Sequence, residues 1–144
     1  MLCKTHGYGV SIGVLQRDID HMGHVNNANH FTYFEIARVH YFNEVVNETI
    51  NWSKQGIILA HMEIDYRTPI LLTDEVWVYT GIIHFGMKSF EVGYQIIRIV
   101  NGIEIIAAEG KSVQVCFDYE TNATIPIPEL WKQKVLAYEP SLKR

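Results

Sequence analysis

Cysteine is scarce in this chain of 144 residues: Cys3 and Cys116 are the only two, and no CxxC spacing joins them. A disulfide framework therefore has no support, and both are expected to be free thiols. Cys116 falls in a strand pattern, where a buried thiol is the plain reading and a nucleophile the less ordinary one. Long apolar runs are missing too. No stretch approaches the ~20 apolar residues of a membrane span, and residues 1–7 have no apolar core of signal-peptide length. The expectation is a cytoplasmic protein with no membrane span. Positive charge is not in excess either, since the formal net charge is −4. Nothing in that balance attracts nucleic acid or an anionic membrane, and a polyanionic ligand would need a local basic patch. Linker-like stretches are absent, which predicts one domain over residues 1–144.

Apolar residues make up 48% of the chain, enough to exclude a disordered class, and three Trp with eight Tyr supply bulky core material. Residues 8–15 alternate, with Tyr8, Val10, Ile12 and Val14 on one face of a half-buried strand. Residues 27–46 place Phe31, Phe34, Ala37, Tyr41 and Val45 at steps of three and four, the single apolar stripe of a long helix. Glu35 and Arg38, three apart, are expected to pair on its flank. After a polar loop at 47–55, Ile58, Ala60, Met62, Ile64 and Tyr66 share one strand face, with His61, Glu63, Asp65 and Arg67 on the other. Pro69 ends that strand.

Residues 75–85 are apolar on both faces, Val76, Val78 and Ile82 against Trp77, Tyr79, Ile83 and Phe85, as in a covered strand. Alternation resumes at 89–100, and Asn101-Gly102 signals a hairpin because a type I′ turn needs positive φ at both central positions. Residues 103–117 are then the antiparallel partner, and Pro126 and Pro128 introduce a short helix at 129–136. Strands joined by short turns pair antiparallel, and the long helix must lay its stripe on their shared apolar face. The fold class is α+β, one sheet wrapping one helix.

Chemistry concentrates in Asp18-Ile19-Asp20-His21-Met22-Gly23-His24-Val25-Asn26-Asn27-Ala28-Asn29, just before that helix. Asn26 or Asn27 suits an N-cap, and the first amides beyond a cap point outward with the positive end of the helix dipole. An oxygen gaining negative charge would be stabilised there. Asp20, seven residues before Asn27, can act as a nucleophile or general base, and Gly23 allows the sharp turn between them. Asp and Asn before a helix are also ordinary caps and turn formers, so the spacing alone leaves both readings open. His21 and His24 beside Asp20 form the densest histidine cluster, but spacing supplies no fourth ligand, and no metal is expected.

These words, followed by Tyr33-Phe34-Glu35-Ile36-Ala37-Arg38, resemble the signature of the hotdog-fold acyl-CoA thioesterases of the 4-hydroxybenzoyl-CoA thioesterase type. The segments 60–69, Lys88-Ser89-Phe90 and Ile127-Pro128-Glu129-Leu130 resemble that family as well. The resemblance implies a five-stranded antiparallel sheet wrapped around one long central helix, and a homodimer or homotetramer with active sites at subunit interfaces. It implies Asp20 as the catalytic carboxylate and the Asn27 amide as the group that polarises the thioester carbonyl, with Asn26 beside it. His24 is expected to orient the site, since a departing thiolate scarcely needs a general acid. Lys88 and Ser89 correspond to a region near the active site or the coenzyme A arm, with Lys88 a candidate phosphate contact.

The substrate implied is an acyl-CoA, and no cofactor is expected beyond the coenzyme A it carries. His21, Met22 and His30 depart from the family's usual residues, which are small or proline, small or polar, and aromatic respectively. Plant acyl-carrier-protein thioesterases share His-Val-Asn-Asn but use an Asn where Met22 stands, a role Met22 cannot play. Two other readings stay beside hydrolysis: a hotdog hydratase or dehydratase acting on enoyl or hydroxyacyl thioesters, and an acyl-binding module without catalysis.

Overall fold

A computed structural model describes residues 6–142. Its elements run β1 (Tyr8–Ile12), α1 (Asn29–Tyr41), a π turn (Phe42–Val46), β2 (Gln55–Tyr66), β3 (Glu75–Phe85), β4 (Ser89–Val100), β5 (Ile103–Asp118), β6 (Ala123–Thr124) and α2 (Glu129–Tyr138). The sheet has the order β1-β3-β4-β5-β2, and the two-residue β6 adds a sixth strand against β5. All pairings are antiparallel. This is the curled sheet around a central helix expected of the hotdog fold.

Chain neighbours are not always sheet neighbours. β2 pairs with β5 along its length and stands at the edge, while β3 pairs with β1 and β4. Residues 67–74 therefore carry the chain across the sheet rather than around a tight turn. The hairpin at 101–102 forms as its sequence requires, with φ of 51° at Asn101 and 76° at Gly102.

The helix lays His30, Tyr33, Phe34, Ala37 and Tyr41 on the sheet, where all five are buried. Phe31, expected in that stripe, is 37% exposed, and His30 takes the inward position instead. Phe34 stacks on Tyr94 of β4 with ring centroids 4.3 Å apart. Gly110 of β5 makes that approach possible, because a Cβ there would collide with the Phe34 ring and the Glu63 carbonyl. The helix ends at the π turn, whose Phe42, Val45 and Val46 are buried, and Phe42 meets Trp131 of α2 edge-on at 5.7 Å.

Of the three register shifts among the described strands, those in β2 and β3 move residues off the faces that alternation assigns them. The shift at Leu59/His61 puts Ile57 on the core side together with Met62 and Ile64, while Ile58, expected there, is 39% exposed. The shift at Ile82/His84 turns Phe85 inward beside Val76, Val78 and Ile82. Arg38 does not pair with Glu35; its guanidinium turns inward and donates to the Tyr94 hydroxyl at 2.9 Å. Cys3 lies outside the described residues. Cys116 is a free, buried thiol whose pKa burial pushes up to about 11, so it stays protonated at neutral pH.

Candidate active site

Asp18 and Asp20 divide into two roles. Asp18 Oδ2 accepts hydrogen bonds from the Tyr33 hydroxyl and the Leu15 amide, both at 2.9 Å, and its carbonyl accepts from the Asn26 amide and from Asn29 Nδ2. It ties the loop to the helix. Burial, with the Asp18 bond second, raises the Tyr33 pKa and keeps that phenol a donor.

Asp20 opens a small hairpin-like loop closed by the Ile19–Val25 bridge. Its Oδ1 accepts from the amides of Met22 at 2.9 Å and His24 at 3.2 Å, and its own amide donates to the His24 carbonyl at 2.8 Å. Gly23, at φ 86°, supplies the left-handed residue that this turn needs. Val25 is buried and donates to the Ile70 carbonyl at 2.8 Å, which pins the loop to the segment after β2. The carboxylate is thus held through one oxygen by backbone, and no hydrogen bond to Oδ2 is made among the described residues.

The helix begins later than the sequence suggests. Its first residue is Asn29 and its N-cap is Ala28, because Asn26 and Asn27 belong to a preceding turn. Asn26 still acts as a local cap: its Oδ1 accepts from the Ala28 amide at 3.0 Å, and its carbonyl accepts from the Asn29 amide at 2.9 Å. The Asn27 N–H is left without a partner among the described residues. Both carbonyls flanking it are held. Tyr66 at the end of β2 donates its hydroxyl to the Asn27 carbonyl at 2.8 Å, and burial raises its pKa, so it stays a donor.

The His30 ring lies with Nδ1 3.4 Å from the Asn26 carbonyl, and His30 meets Tyr66 edge-on at 4.9 Å. A carbonyl can only accept, so Nδ1 carries the proton in this contact. Burial lowers the His30 pKa, which favours the neutral ring.

Asp20, His24 and Asn27 line one cleft of about 240 Å³ together with His30, Tyr66, Arg67 and Thr68. Asn26, which is exposed, stands beside it in the loop. Arg67 is the cation among these, and it is partly neutralised by Glu109 at 3.3 Å and Asp65 at 3.9 Å. Sequence reasoning missed His30 and Tyr66 as site residues. An inward histidine one turn after Asn26, and a tyrosine just before the strand-ending Arg67-Thr68-Pro69, were the available signals.

Lys88 and Ser89 are not brought to this cleft within one chain. Thr68 is held by the Ile106 carbonyl, and Ile106 pairs with Ile97. Ser89 begins β4 eight residues earlier, about 26 Å away along the strand. A contact from Lys88 or Ser89 to a ligand in the cleft would need a second copy of the chain. Among the described residues, no group of three or more His, Cys, Asp or Glu could hold a metal ion, and no helix is long and apolar enough to cross a membrane.

The arrangement can hold a carbonyl carbon near a carboxylate while an N–H receives the carbonyl oxygen, a layout for acyl transfer. Known proteins carry related chains. Residues 14–135 match the profile of the Thioesterase-like superfamily. A Bacillus subtilis (strain 168) protein, YsmA, is 27% identical over 84 residues, and that match spans only 56% of its length and 58% of this chain.

Among solved structures, a predicted thioesterase from Bacillus stearothermophilus has a TM-score of 0.79 at 26% identity, covering 95% of this chain and 97% of that one. A thioesterase from Thermus thermophilus, solved in complex with coenzyme A and Zn, has a TM-score of 0.76. It is 34% identical, covering 92% of this chain and 93% of its own. Identity at that level over nearly the whole of a solved thioesterase, with the profile match over most of the sequence, establishes that this chain belongs to the Thioesterase-like superfamily.

Proposed function

We propose that the protein hydrolyses acyl-CoA thioesters to a carboxylic acid and free coenzyme A. Asp20 supplies the carboxylate that attacks the thioester carbonyl or deprotonates a water that does so. The Asn27 N–H receives the oxygen that becomes negative. As the tetrahedral species collapses the carbon–sulfur bond breaks, and the sulfur leaves as a thiolate that takes up a proton from water. Where Asp20 attacks directly, the mixed anhydride left on it is cleaved by one water to the free acid and the regenerated carboxylate. Where Asp20 acts as base, that one water is itself the attacking group. Neither route needs a cofactor beyond the coenzyme A that the substrate carries.

The observation that carries this reading is the pairing, in one cleft, of a carboxylate fixed through Oδ1 with an N–H that has no partner among the described residues. A single preorganised oxyanion donor is worth about 10²–10³ in rate, so the N–H is a substantial part of the proposed catalyst. His24 lines the cleft and gives its backbone amide to Asp20, which suits orientation rather than proton transfer. Family membership and the coenzyme A bound by the Thermus thioesterase support the choice of carrier.

A second copy of the chain also belongs to the proposal. β2 is an edge strand whose Ile58 and Leu59 are 39% and 49% exposed, an apolar edge of the kind that another strand covers. A homodimer, alone or doubled to a tetramer, acting in the cytoplasm is the state we propose.

The test is thiol release from short-chain, long-chain and aromatic acyl-CoA esters by the purified protein. Release from at least one class supports the reading. Release from none would return the chain to the hydratase or binding-module alternatives.

A further inference from the structure

We propose, resting on the reading of the Asn27 N–H as oxyanion donor, that His30 strengthens that donor from behind. Its Nδ1–H polarises the Asn26–Asn27 peptide unit, and the N–H of the same unit meets the acyl oxygen. His30 is thus a positioning residue that acts through a peptide, not on the substrate.

The Asn26 carbonyl and the Asn27 N–H belong to one planar group, and in a trans peptide they point in opposite directions. The carbonyl accepts from the Asn29 amide at 2.9 Å and from His30 Nδ1 at 3.4 Å, which engages both of its lone pairs. The N–H has no partner among the described residues. Donors on the carbonyl draw charge from the amide nitrogen and leave its hydrogen more positive, as successive hydrogen bonds in a chain reinforce one another. An acyl oxygen at the N–H completes such a chain, most strongly when that oxygen becomes negative. The Asn29 contact is backbone, and any side chain there would permit it. The His30 contact depends on the imidazole.

Packing alone does not call for a histidine at this position. His30 is 2% exposed on the inward face of α1, with the Tyr66 ring edge-on at 4.9 Å and the Tyr33 ring at 6.3 Å. A phenyl ring would fill the same space without withdrawing two nitrogens from water. Burial lowers the His30 pKa, with the Asn26 and Asn27 carbonyls opposing it, and favours the neutral ring. The contact with the Asn26 carbonyl then places the one proton on Nδ1. Tyr66 differs in kind: its hydroxyl donates to the Asn27 carbonyl, which belongs to the next peptide unit, so it orients Asn27 without polarising the free N–H.

The test compares His30→Phe, which keeps a ring and loses the donor, with His30→Asn, whose Nδ2–H stands near the place of the imidazole Nδ1–H. Steady-state thiol release is measured on the best acyl-CoA ester. The infrared stretch of the bound thioester carbonyl is measured alongside, in proteins that also carry Asp20→Asn so that the ester is not turned over. An oxyanion donor worth about 10²–10³ in rate, strengthened by about 10–30%, changes the rate by about two- to eightfold. The expected result for His30→Phe is a kcat lower by that factor with KM changed less, and a carbonyl stretch moved toward that of the free ester. His30→Asn recovers most of both. An unchanged kcat and stretch in folded His30→Phe would overturn the proposal. So would a His30→Asn protein as impaired as His30→Phe in both readouts, since the loss would then follow packing. A fall beyond about 10² would overturn it too, by placing His30 on the reacting atoms. A wild type that releases no thiol, or an ester whose stretch is not lowered on binding to Asp20→Asn, would remove the Asn27 reading and this proposal with it. The other contrary outcomes, on an active wild type, remove this proposal alone.

Discussion

Tyr66→Phe isolates the contribution of geometry at the Asn27 amide. The phenylalanine keeps the ring that packs edge-on against His30 at 4.9 Å, and it removes only the hydroxyl that donates to the Asn27 carbonyl at 2.8 Å. Asn27 is exposed, so water can take over the carbonyl and the stability loss stays within about 1 kcal/mol. The effect on rate comes from orientation. A net hydrogen bond of about 0.5–1.5 kcal/mol, if expressed wholly in the transition state, corresponds to roughly a two- to twelvefold drop in kcat.

The ceiling is the roughly 10²–10³ that complete loss of an oxyanion donor costs, and the substitution should stay below it because the N–H itself remains. The assay is steady-state thiol release on the best acyl-CoA ester, with melting temperature as a fold control. The expected result is a several-fold lower kcat with KM changed less. An unchanged kcat in a folded variant would refute the positioning role. A loss as deep as that of Asp20→Asn would show that Tyr66 does more than orient.

Two further outcomes concern the scaffold of the site. Burial holds the His30 imidazole below its ordinary value of 6.5, so the unfolded chain binds a proton there that the folded chain resists. Stability should therefore fall as pH drops through 6.5, and His30→Phe should flatten that slope in urea melts compared at about pH 5 and about pH 7.5. His6, also lowered by burial, leaves a residual slope in the variant. Gly110→Ala sets a Cβ against the Phe34 ring, 2.7 Å away, and against the Glu63 carbonyl. It should cost about 1–3 kcal/mol, read as a lower urea midpoint, and a variant as stable as wild type would contradict the packing account.

Much of this molecule was legible from residue order, for identifiable reasons. The Asn101-Gly102 hairpin needs positive φ at both positions, and the chain offers the two residue types that accept it. The long helix and most of its buried face follow from the steps between Phe34, Ala37 and Tyr41. What failed was counting across irregularities. The bulge at Leu59/His61 inserts one residue, so Ile58 leaves the face it was assigned to by alternation, and Phe85 joins the core for the same reason. Pairing of β2 with β5 is a long-range choice that no local pattern encodes.

At the site, the Asp20–Asn27 stretch was readable as a chemical layout, but the residues steadying it were not. Tyr66 stands 39 positions away from Asn27 and meets it only through the crossing of β2 under the loop. Arg38 was assigned to Glu35 by helix spacing, yet a buried hydroxyl on β4 made the stronger demand on its guanidinium.

Asp20→Asn is the most direct test of the account. An asparagine keeps an Oδ1 that can accept from the Met22 and His24 amides, so the loop should hold its shape while the negative charge is lost. The measurement is kcat/KM for thiol release, wild type against variant, with circular dichroism and melting temperature matched. The account predicts a fall of about 10²–10⁴, the range for losing a positioned base or nucleophile. A folded variant with kcat/KM within about twofold of wild type, well under that range, would contradict the assignment of Asp20 as the reacting carboxylate.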